Sequence, residues 1–314
     1  MNIASLATYI PPARVHLDQV IAHRGGVPSE ARTFSQLFGM RQVATLAGDE
    51  SAEGCFHALL QQLAENLDDG ERIDAIILIQ GLPAHSRRQS VNLSTLRRRS
   101  HFITPNAPLL TLNQQNCATL FWGLRLAEQL LASGKHHCIA LLVGDTLADF
   151  DLAERYIPGC TMIADGFAAA LLKPGSGQCN VSGIQCFYHP GFQEGLDGTR
   201  ENTKRFYQSH NYLVEHALAS FPEDVRQHAW LLPHNINRLS WQTWLRHAEN
   251  RGRSVATDLL GECGHCYAAD PLLLLERYAP QHTGRPALLL SVGLGGWVGC
   301  AAITCDTLQE ATPC

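Results

Sequence analysis

Four short aliphatic runs do most to constrain what this chain can fold into. Each is five or six residues long, ends at a Gly, a Pro or a polar turn, and together they cover residues 75–79, 139–143, 168–172 and 287–292. Runs that are apolar at nearly every position are typical of strands buried on both faces of a sheet. We therefore expect these four segments to be central strands.

Segments with helical periodicity lie between these runs. Leucines and alanines repeat on one face of a helix predicted over 118–132, and Gly134 supplies its stop. Helices are also predicted over 55–67 and 241–247. Strands that alternate with helices in both halves of the chain predict an α/β layered fold.

The chain is poor in charge for its length. Of its 314 residues 17% are charged, against about 25% in typical soluble domains. This composition excludes intrinsic disorder and suits layers that are buried on both sides. The length allows one large domain or two halves of about 150 residues each. The polar stretch 192–211 is predicted to be a partly helical surface excursion between the halves, bordering the substrate path.

The charge balance excludes some classes of partner. The net charge of -5 argues against nucleic acid, and the one dense basic run, 97–99, is interpreted as a solvated or interface cluster. No stretch reaches the roughly 18 apolar residues of a membrane span. Residues 1–15 are interrupted by two prolines and lack the basic start of a signal peptide. We therefore expect a cytoplasmic protein that binds neither nucleic acid nor membrane.

The chain has 11 cysteines, an odd number. Without a secretion signal, the default is reduced thiols that pack as small buried hydrophobes, with one or two that carry chemistry. Cys117 is the first candidate because it follows an extended segment, 108–116, and directly precedes the helix at 118. Unpaired N–H groups and the positive end of a helix dipole lower a thiol pKa and can hold an oxyanion, so we expect a thiolate near neutral pH.

Two histidines and a Gly-rich turn are further candidates. His234 ends the apolar run 230–232, where sites of α/β proteins collect, although a lone histidine there is more often structural. His265 follows Gly264 and stands five residues before Asp270, which can fix its tautomer and stabilise its imidazolium form. The Gly-rich turn is a place where a backbone amide can approach a ligand, although hairpin geometry explains it equally well. It covers residues 293–299.

In order along the chain, these segments resemble the ketoacyl-acyl-carrier-protein synthase III group of the thiolase superfamily. The resemblance covers nearly the whole chain, and its strength lies in the order and spacing of the motifs. The matching segments are Tyr9-Ile10-Pro11 with Val15, Phe38-Gly39-Met40-Arg41, Asn116-Cys117-Ala118, Leu142-Val143-Gly144-Asp145, 164–170, Pro233-His234-Asn235-Ile236-Asn237 and 293–299.

This resemblance implies a thiolase fold, a duplicated α-β-α-β-α architecture of five layers. Residues 1–173 would form the half that carries the nucleophile, and residues 174–314 the half with the histidines and the Gly-rich strand pair. It further implies a homodimer that carries an acyl group as a thioester on Cys117. The donor would be an acyl-CoA or the phosphopantetheine thioester of an acyl carrier protein, with no covalently bound cofactor and no metal.

The resemblance also assigns roles to single residues. It makes His234 the first basic partner of the nucleophile. The oxyanion donors would be the amide of Cys117 and that of Gly295 or Gly296. Matching positions also place Asn237 and Arg41 in the substrate-binding set.

One departure from the family bears on the reaction. His265 stands where the family has an Asn that helps to hold a malonyl carbonyl during loss of carbon dioxide, which puts decarboxylation in doubt. A His here with Asp270 five residues later resembles the acyltransferases of natural-product pathways, which use a Cys-His-Asp triad. We therefore predict an acyltransferase of secondary-metabolite, fatty-acid or polyketide biosynthesis. The alternative is a Claisen-condensing 3-oxoacyl synthase with a Cys-His-His set, and the sequence leaves it open.

A second departure concerns the donor. The residues that clamp the adenine of coenzyme A in the family fall here near Thr33 and Leu37, which can neither stack nor pair with phosphate. Arg32 or Arg41 would have to replace them, or a carrier protein delivers the donor. Basic residues at 87 and 88 suggest an acidic substrate or carrier.

Two readings from other classes remain. Cys263 and Cys266 have the spacing of half a zinc knuckle or of a dithiol motif, although no second pair is suitably placed. The other is a catalytically inactive subunit that supports a related active subunit in a heterodimer. The retained Cys117 and both histidines argue against it.

Overall fold

The computed structural model describes residues 1–82, 91–175, 177–195 and 198–305. Fourteen strands and ten α-helices lie in these ranges. The strands are β1 Asn2–Tyr9, β2 Arg14–His16, β3 Gln42–Ala44, β4 Ala75–Ile79, β5 Leu109–Leu112, β6 Ile139–Asp145, β7 Tyr156–Ile157, β8 Thr161–Met162, β9 Gly166–Lys173, β10 Cys179–Tyr188, β11 Trp230–Pro233, β12 Ser254–Val255, β13 Ala287–Gly293 and β14 Trp297–Cys305. The helices are α1 Leu17–His23, α2 Pro28–Thr33, α3 Ala52–Ala64, α4 Leu93–Arg99, α5 Thr119–Ala132, α6 Arg200–Leu218, α7 Glu223–His228, α8 Arg238–Leu245, α9 Leu259–Cys263 and α10 Asp270–Tyr278.

Ten strands form one sheet whose order repeats itself. The order β12-β11-β13-β14-β10 is followed by β1-β9-β6-β4-β5. In each set of five, the three strands at the outer edge are parallel and the next two join antiparallel. The sets meet where β1 pairs briefly with β10. The chain thus contains the same five-strand arrangement twice; the boundary between halves 1–173 and 174–314 stays a prediction.

The helices pack in layers around these strands. Helices α5 and α10 each contact strands of both sets, so they lie between them. Helix α3 covers the first set from outside and α6 covers the second. The α/β class predicted from the sequence is confirmed.

The predicted inner strands agree with the structure. Every residue of β4 and β6 is buried, because both faces of these strands are covered by helices. Helix α5 approaches β4 so closely that a Cβ on Gly123 would lie 2.3 Å from Ile79 Cδ1. A glycine is therefore required where this central helix crosses the strand that precedes the site.

The segment 192–211 differs from its prediction. It lies between β10 and β11, inside the second set of strands, rather than between the halves. Its second half belongs to α6, a helix of 19 residues that Thr199 caps. Although the mean hydropathy of this helix is low, one face is apolar and buried, and that periodicity was obscured by its many polar residues.

The expectation that all cysteines are reduced is wrong for one pair. Cys179 and Cys305 are opposite each other in the register of β10 and β14, and they form a disulfide. Eight further cysteines of the described ranges are free thiols. The basic residues at 87 and 88 lie outside the described residues. Within the described part of the chain, no helix combines the length and apolar character needed to cross a bilayer.

Candidate active site

Cys117 lies in a 3₁₀ turn, Asn116–Ala118, that leads directly into α5. Its side chain is buried, and its Sγ lies 3.3 Å from Nε2 of His265 and 3.1 Å from Oδ1 of Asn116. The thiol hydrogen therefore has two acceptors within reach. The sequence-based pairing of Cys117 with His265 matches this geometry.

Asp270 holds the other nitrogen of His265. Its Oδ2 lies 2.5 Å from His265 Nδ1 and also accepts the backbone N–H of Asn235 at 2.6 Å. Its Oδ1 accepts the backbone N–H of Cys266 at 2.9 Å. A carboxylate with these donors around it keeps the proton of His265 on Nδ1, so Nε2 is the acceptor that faces the thiol.

The loop around His265 is fixed by backbone contacts. The His265 N–H donates to Met162 O, and its carbonyl accepts from Ala164 N, which adds a parallel bridge beside β8. Gly264 has φ +82°, and a Cβ there would lie 2.9 Å from a Val43 methyl. Glycine is therefore needed immediately before the histidine, which explains the Gly-His pair of the sequence.

The thiol of Cys117 differs from its predicted ionisation. Burial, and next the negative charge of Asp270, raise its pKa well above the usual range, although its own backbone N–H lowers it. Desolvation thus outweighs the helix dipole on which the sequence argument relied. Burial therefore favours the protonated thiol of Cys117 in the free protein.

His234 follows β11 and is completely buried. Its Nδ1 accepts the backbone N–H of Val292, so its proton is on Nε2, and Nε2 has no hydrogen-bond partner among the described residues. Burial lowers the pKa of His234 well below the usual range. Its ring centre lies 6.1 Å from that of His265. His234 thus presents a neutral N–H donor beside the other histidine.

Asn116 is a site residue that sequence reasoning missed. Its φ of +52° places it in the left-handed region, which Asn tolerates better than most residues. Its Nδ2 donates to Gly81 O at 3.3 Å, and its Oδ1 accepts Leu294 N–H at 3.2 Å as well as the thiol hydrogen. These two backbone groups fix the orientation of the amide, with its oxygen toward Cys117. An Asn beside a candidate nucleophile at a turn was the available signal.

The Gly-rich turn meets the nucleophile turn at Gly293 and Leu294. A Cβ on Gly293 would lie 2.4 Å from Gln115 O, so glycine alone permits this approach. The amide of Leu294 and the thiol of Cys117 share one oxygen of Asn116. The Leu294 N–H is therefore paired with the same side chain that contacts the nucleophile.

The predicted donors Gly295 and Gly296 lie elsewhere in the turn. Both have positive φ, and the Gly296 N–H already donates to Gly293 O. A Cβ on Gly296 would collide with the carbonyl of His189, and one on Gly295 would approach Trp297. Both glycines are therefore required by the geometry of the turn, and the assignment of either amide as an oxyanion donor stays a prediction.

Two further predicted residues do not face the thiol. Asn237 caps α8 by accepting Ser240 N–H, and its Nδ2 donates to Cys160 O. It thereby fastens the turn between β7 and β8. Arg41 is exposed, and its carbonyl accepts Leu17 N–H. The side chain of Asn237 thus contacts the scaffold and that of Arg41 is exposed, and their substrate-binding roles stay predictions.

A cavity of about 840 Å³ lies between two elements near the site. One wall is the turn that Asn237 holds, and the other is the first half of α6. The side chain of Tyr207 lines it. The charge of an ionised Cys160 would raise the pKa of both Tyr207 and Cys117. Cys160, in the turn that forms one wall, is therefore near both groups.

No protein-family model and no curated protein matches the sequence. Solved structures do match. ChlB3, named as an acyltransferase, has 18% identity, 97% of each chain covered and a TM-score of 0.74. A 3-oxoacyl-(acyl-carrier-protein) synthase III has 19% identity, 95% of this chain and 98% of that one covered and a TM-score of 0.75. FabH of Xanthomonas oryzae has 14% identity, 96% and 98% covered and a TM-score of 0.77.

The chain has the thiolase fold. At these identities the likeness concerns the fold alone. The resemblance to ketoacyl-acyl-carrier-protein synthase III that the sequence showed is confirmed at that level. What the thiolase fold does in this chain depends on its own side chains.

Proposed function

We propose that this chain is an acyltransferase that carries an acyl group on Cys117 and passes it to an acceptor with His265 as the base. The observation that carries the proposal is the Asp270–His265–Cys117 chain, with contacts of 2.5 and 3.3 Å. Asp270 fixes Nε2 as a proton acceptor at the sulfur. The names of ChlB3 and of the synthases describe acyl chemistry on the same fold, which supports this class of reaction.

In the loading step, the sulfur of Cys117 attacks the carbonyl carbon of a thioester. His265 Nε2 takes the thiol proton, and Asp270 stabilises the resulting imidazolium. The Cys117 N–H, with the amide of Gly295 in the Gly-rich turn, is the donor that we assign to the tetrahedral oxyanion. The proton then passes from His265 to the leaving thiol, which leaves an acyl-Cys117 and a neutral histidine.

In the transfer step, the neutral His265 accepts the proton of the acceptor as that group attacks the acyl carbon. This requires Nε2 as an acceptor, which Asp270 ensures. Decarboxylation by a Cys-His-His set instead requires two N–H donors on the malonyl carbonyl. Only His234 presents one here, because the Nε2 of His265 faces the thiol as an acceptor. This favours acyl transfer over condensation.

A condensing enzyme is the second candidate. It is favoured by one observation, the short distance of 6.1 Å between the rings of His234 and His265. If His265 were protonated, both rings would offer N–H groups to one carbonyl oxygen. The reaction would then release carbon dioxide and form a carbon–carbon bond.

The donor is proposed to enter through the cavity beside α6. Arg200 and Lys204 line the cavity, and Nζ of Lys204 also lies 3.9 Å from Oε2 of Glu201. These cations suit the phosphate that coenzyme A and a carrier protein's phosphopantetheine share. Tyr207 lines the cavity as well and lies beside Cys160. The homodimer, the carrier protein and the cytoplasmic location stay predictions.

Product analysis separates the two candidates. The purified protein is incubated with hexanoyl-N-acetylcysteamine and then with either a simple alcohol or a malonyl thioester, and esters, carbon dioxide and 3-oxoacyl products are measured. We expect ester formation, no carbon dioxide, and loss of both loading and transfer in His265→Ala. The exposed His101→Ala is the matched control and should behave like wild type. Carbon dioxide release with a 3-oxoacyl product, or loading and ester formation by His265→Ala at the wild-type rates, would overturn the acyltransferase assignment.

A further inference from the structure

The buried face of α6 is apolar with a single exception, His210. The other buried members of this face are hydrophobic: Phe206, Leu213, Val214, Ala217 and Leu218. Only 4% of the surface of His210 is exposed. An apolar residue would serve packing better at this position, because a buried polar group without a partner opposes folding. The histidine therefore calls for a role other than packing.

The imidazole of His210 lies against site residues. Its ring centre is 5.7 Å from that of His234 and 5.2 Å from the ring of Trp241. Neither of its nitrogens makes an aligned hydrogen bond among the described residues, although the side chain of Asn211 lies close to the ring, and Nε2 of His234 and Nε1 of Trp241 have no partner there. Each of these three neighbouring aromatic side chains thus buries a nitrogen that lacks an aligned hydrogen bond among the described residues. Such a cluster is suited to a polar group that arrives with a ligand.

Helix α6 connects this cluster to the cavity. Thr203 and Tyr207 line the cavity, and His210 is seven positions after Thr203, so the three residues share one side of the helix. From the cavity inward, this side passes Tyr207, then His210, which faces His234. The hydroxyl of Tyr207 is buried as well and lies beside the thiol of Cys160. The polar side of α6 thus runs from the cavity to the histidine cluster.

The charge of these groups restricts the ligand. Burial lowers the pKa of His210 to about 4, so its ring is neutral near pH 7. A neutral imidazole offers one donor and one acceptor, which matches a hydroxyl group. An ammonium would lack a carboxylate among these side chains, and a carboxylate would lack a cation. The cluster therefore suits an uncharged hydroxyl.

We propose that His210, with the Nε2–H of His234, binds the reacting hydroxyl group of an alcohol acceptor, so that the acyl group leaves as an ester. This rests on the proposed acyl transfer. In the step, the alcohol oxygen forms a bond to the acyl carbon, the carbon–sulfur bond to Cys117 breaks, and the hydroxyl proton passes through His265 Nε2 to the sulfur. The products are an ester and the free thiol, with no other reactant.

The test follows the two half-reactions separately. Wild type, His210→Leu and His216→Leu are loaded with hexanoyl-N-acetylcysteamine, and loss of the adduct is timed by intact-protein mass spectrometry after addition of 1-hexanol, hexylamine or 1-hexanethiol. His216 is an exposed histidine on the same helix and controls for the substitution itself. Thermal unfolding of each variant checks that it is folded, and His210→Asn, which keeps a neutral polar group, provides a second variant.

The proposal predicts that wild type prefers 1-hexanol among the three acceptors. It also predicts that His210→Leu slows transfer to the alcohol at least about tenfold more than it slows loading. His216→Leu should match wild type, and His210→Asn should lie between the two. Equal loss of loading and transfer, unchanged transfer in His210→Leu, or preference for the amine or thiol would overturn the subsite. Absence of any adduct on wild-type Cys117 would instead overturn the proposed function on which it rests.

Discussion

The substitution Asp270→Asn changes one atom at the point where the site is most tightly held. Both oxygens of Asp270 accept hydrogen bonds, from His265 and Asn235 on one side and from Cys266 and the Asn235 side chain on the other. An amide offers one oxygen, so its NH₂ must face donors whichever way it points. Toward His265, it would force the proton onto Nε2 and remove the base at the thiol. Toward Cys266, it would leave that backbone N–H unpaired.

The size of the effect follows from these contacts. Each buried N–H left without an acceptor costs about 1–3 kcal/mol, and a hydrogen bond to a charged group is worth about 1.5–3 kcal/mol. We therefore expect the free energy of unfolding to fall by about 2–5 kcal/mol. The acylation rate should fall by about 10³–10⁴, the loss seen when another catalytic triad is held in the wrong tautomer.

Two assays and one control separate these effects. Urea unfolding gives the stability, and the time course of the acyl adduct by intact-protein mass spectrometry gives the rate. Asp165→Asn is the matched control, since Asp165 is equally buried but pairs with Arg155 outside the site. It should lose comparable stability while acylating at a rate near wild type. Acylation by Asp270→Asn at the wild-type rate, or an equal rate loss in both variants, would refute the role of Asp270.

Three other predictions follow from the site. Because burial raises the pKa of Cys117, its alkylation by iodoacetamide should keep accelerating above pH 9; a plateau below pH 8 would show a preformed thiolate. Burial lowers the pKa of His210 from 6.5 to about 4, so about 3 kcal/mol of stability present above pH 6.5 should be lost as the pH falls to 4. His210→Leu should reduce this acid sensitivity in urea unfolding, and an unchanged pH dependence would contradict it. Asn116→Ala loses three side-chain hydrogen bonds and strains φ +52°, so it should destabilise by about 2–4 kcal/mol. Asn116→Gly should cost less by about 1–2 kcal/mol, and equal losses would argue against the strain.

The central strands and the triad were accessible to sequence reasoning. A continuous aliphatic run such as 75–79 can bury all of its side chains only in a strand that is covered on both faces of the sheet. The pairing of His265 with Asp270 was accessible because the two residues are only five apart in the sequence, and Cys117 because it directly precedes a predicted helix. Such features depend on residues that are close in the sequence, so they can be predicted without knowledge of distant contacts.

Features that depend on distant contacts were not accessible. The disulfide joins Cys179 to Cys305 through the register of two strands that are far apart in sequence. The neutral thiol of Cys117 results from burial, which the argument from the helix dipole did not weigh. The register of the Gly-rich turn depends on the close contact of Gly293 with Gln115, which only the packed structure shows.

The site of acylation tests the account most directly. The protein is incubated with hexanoyl-N-acetylcysteamine, and the adduct is located by intact-protein mass spectrometry and peptide mapping. The account predicts one hexanoyl group, on Cys117, which disappears in Cys117→Ala and persists in Cys300→Ala, a buried thiol away from the triad. An adduct on another cysteine, or one that remains in Cys117→Ala, would contradict it.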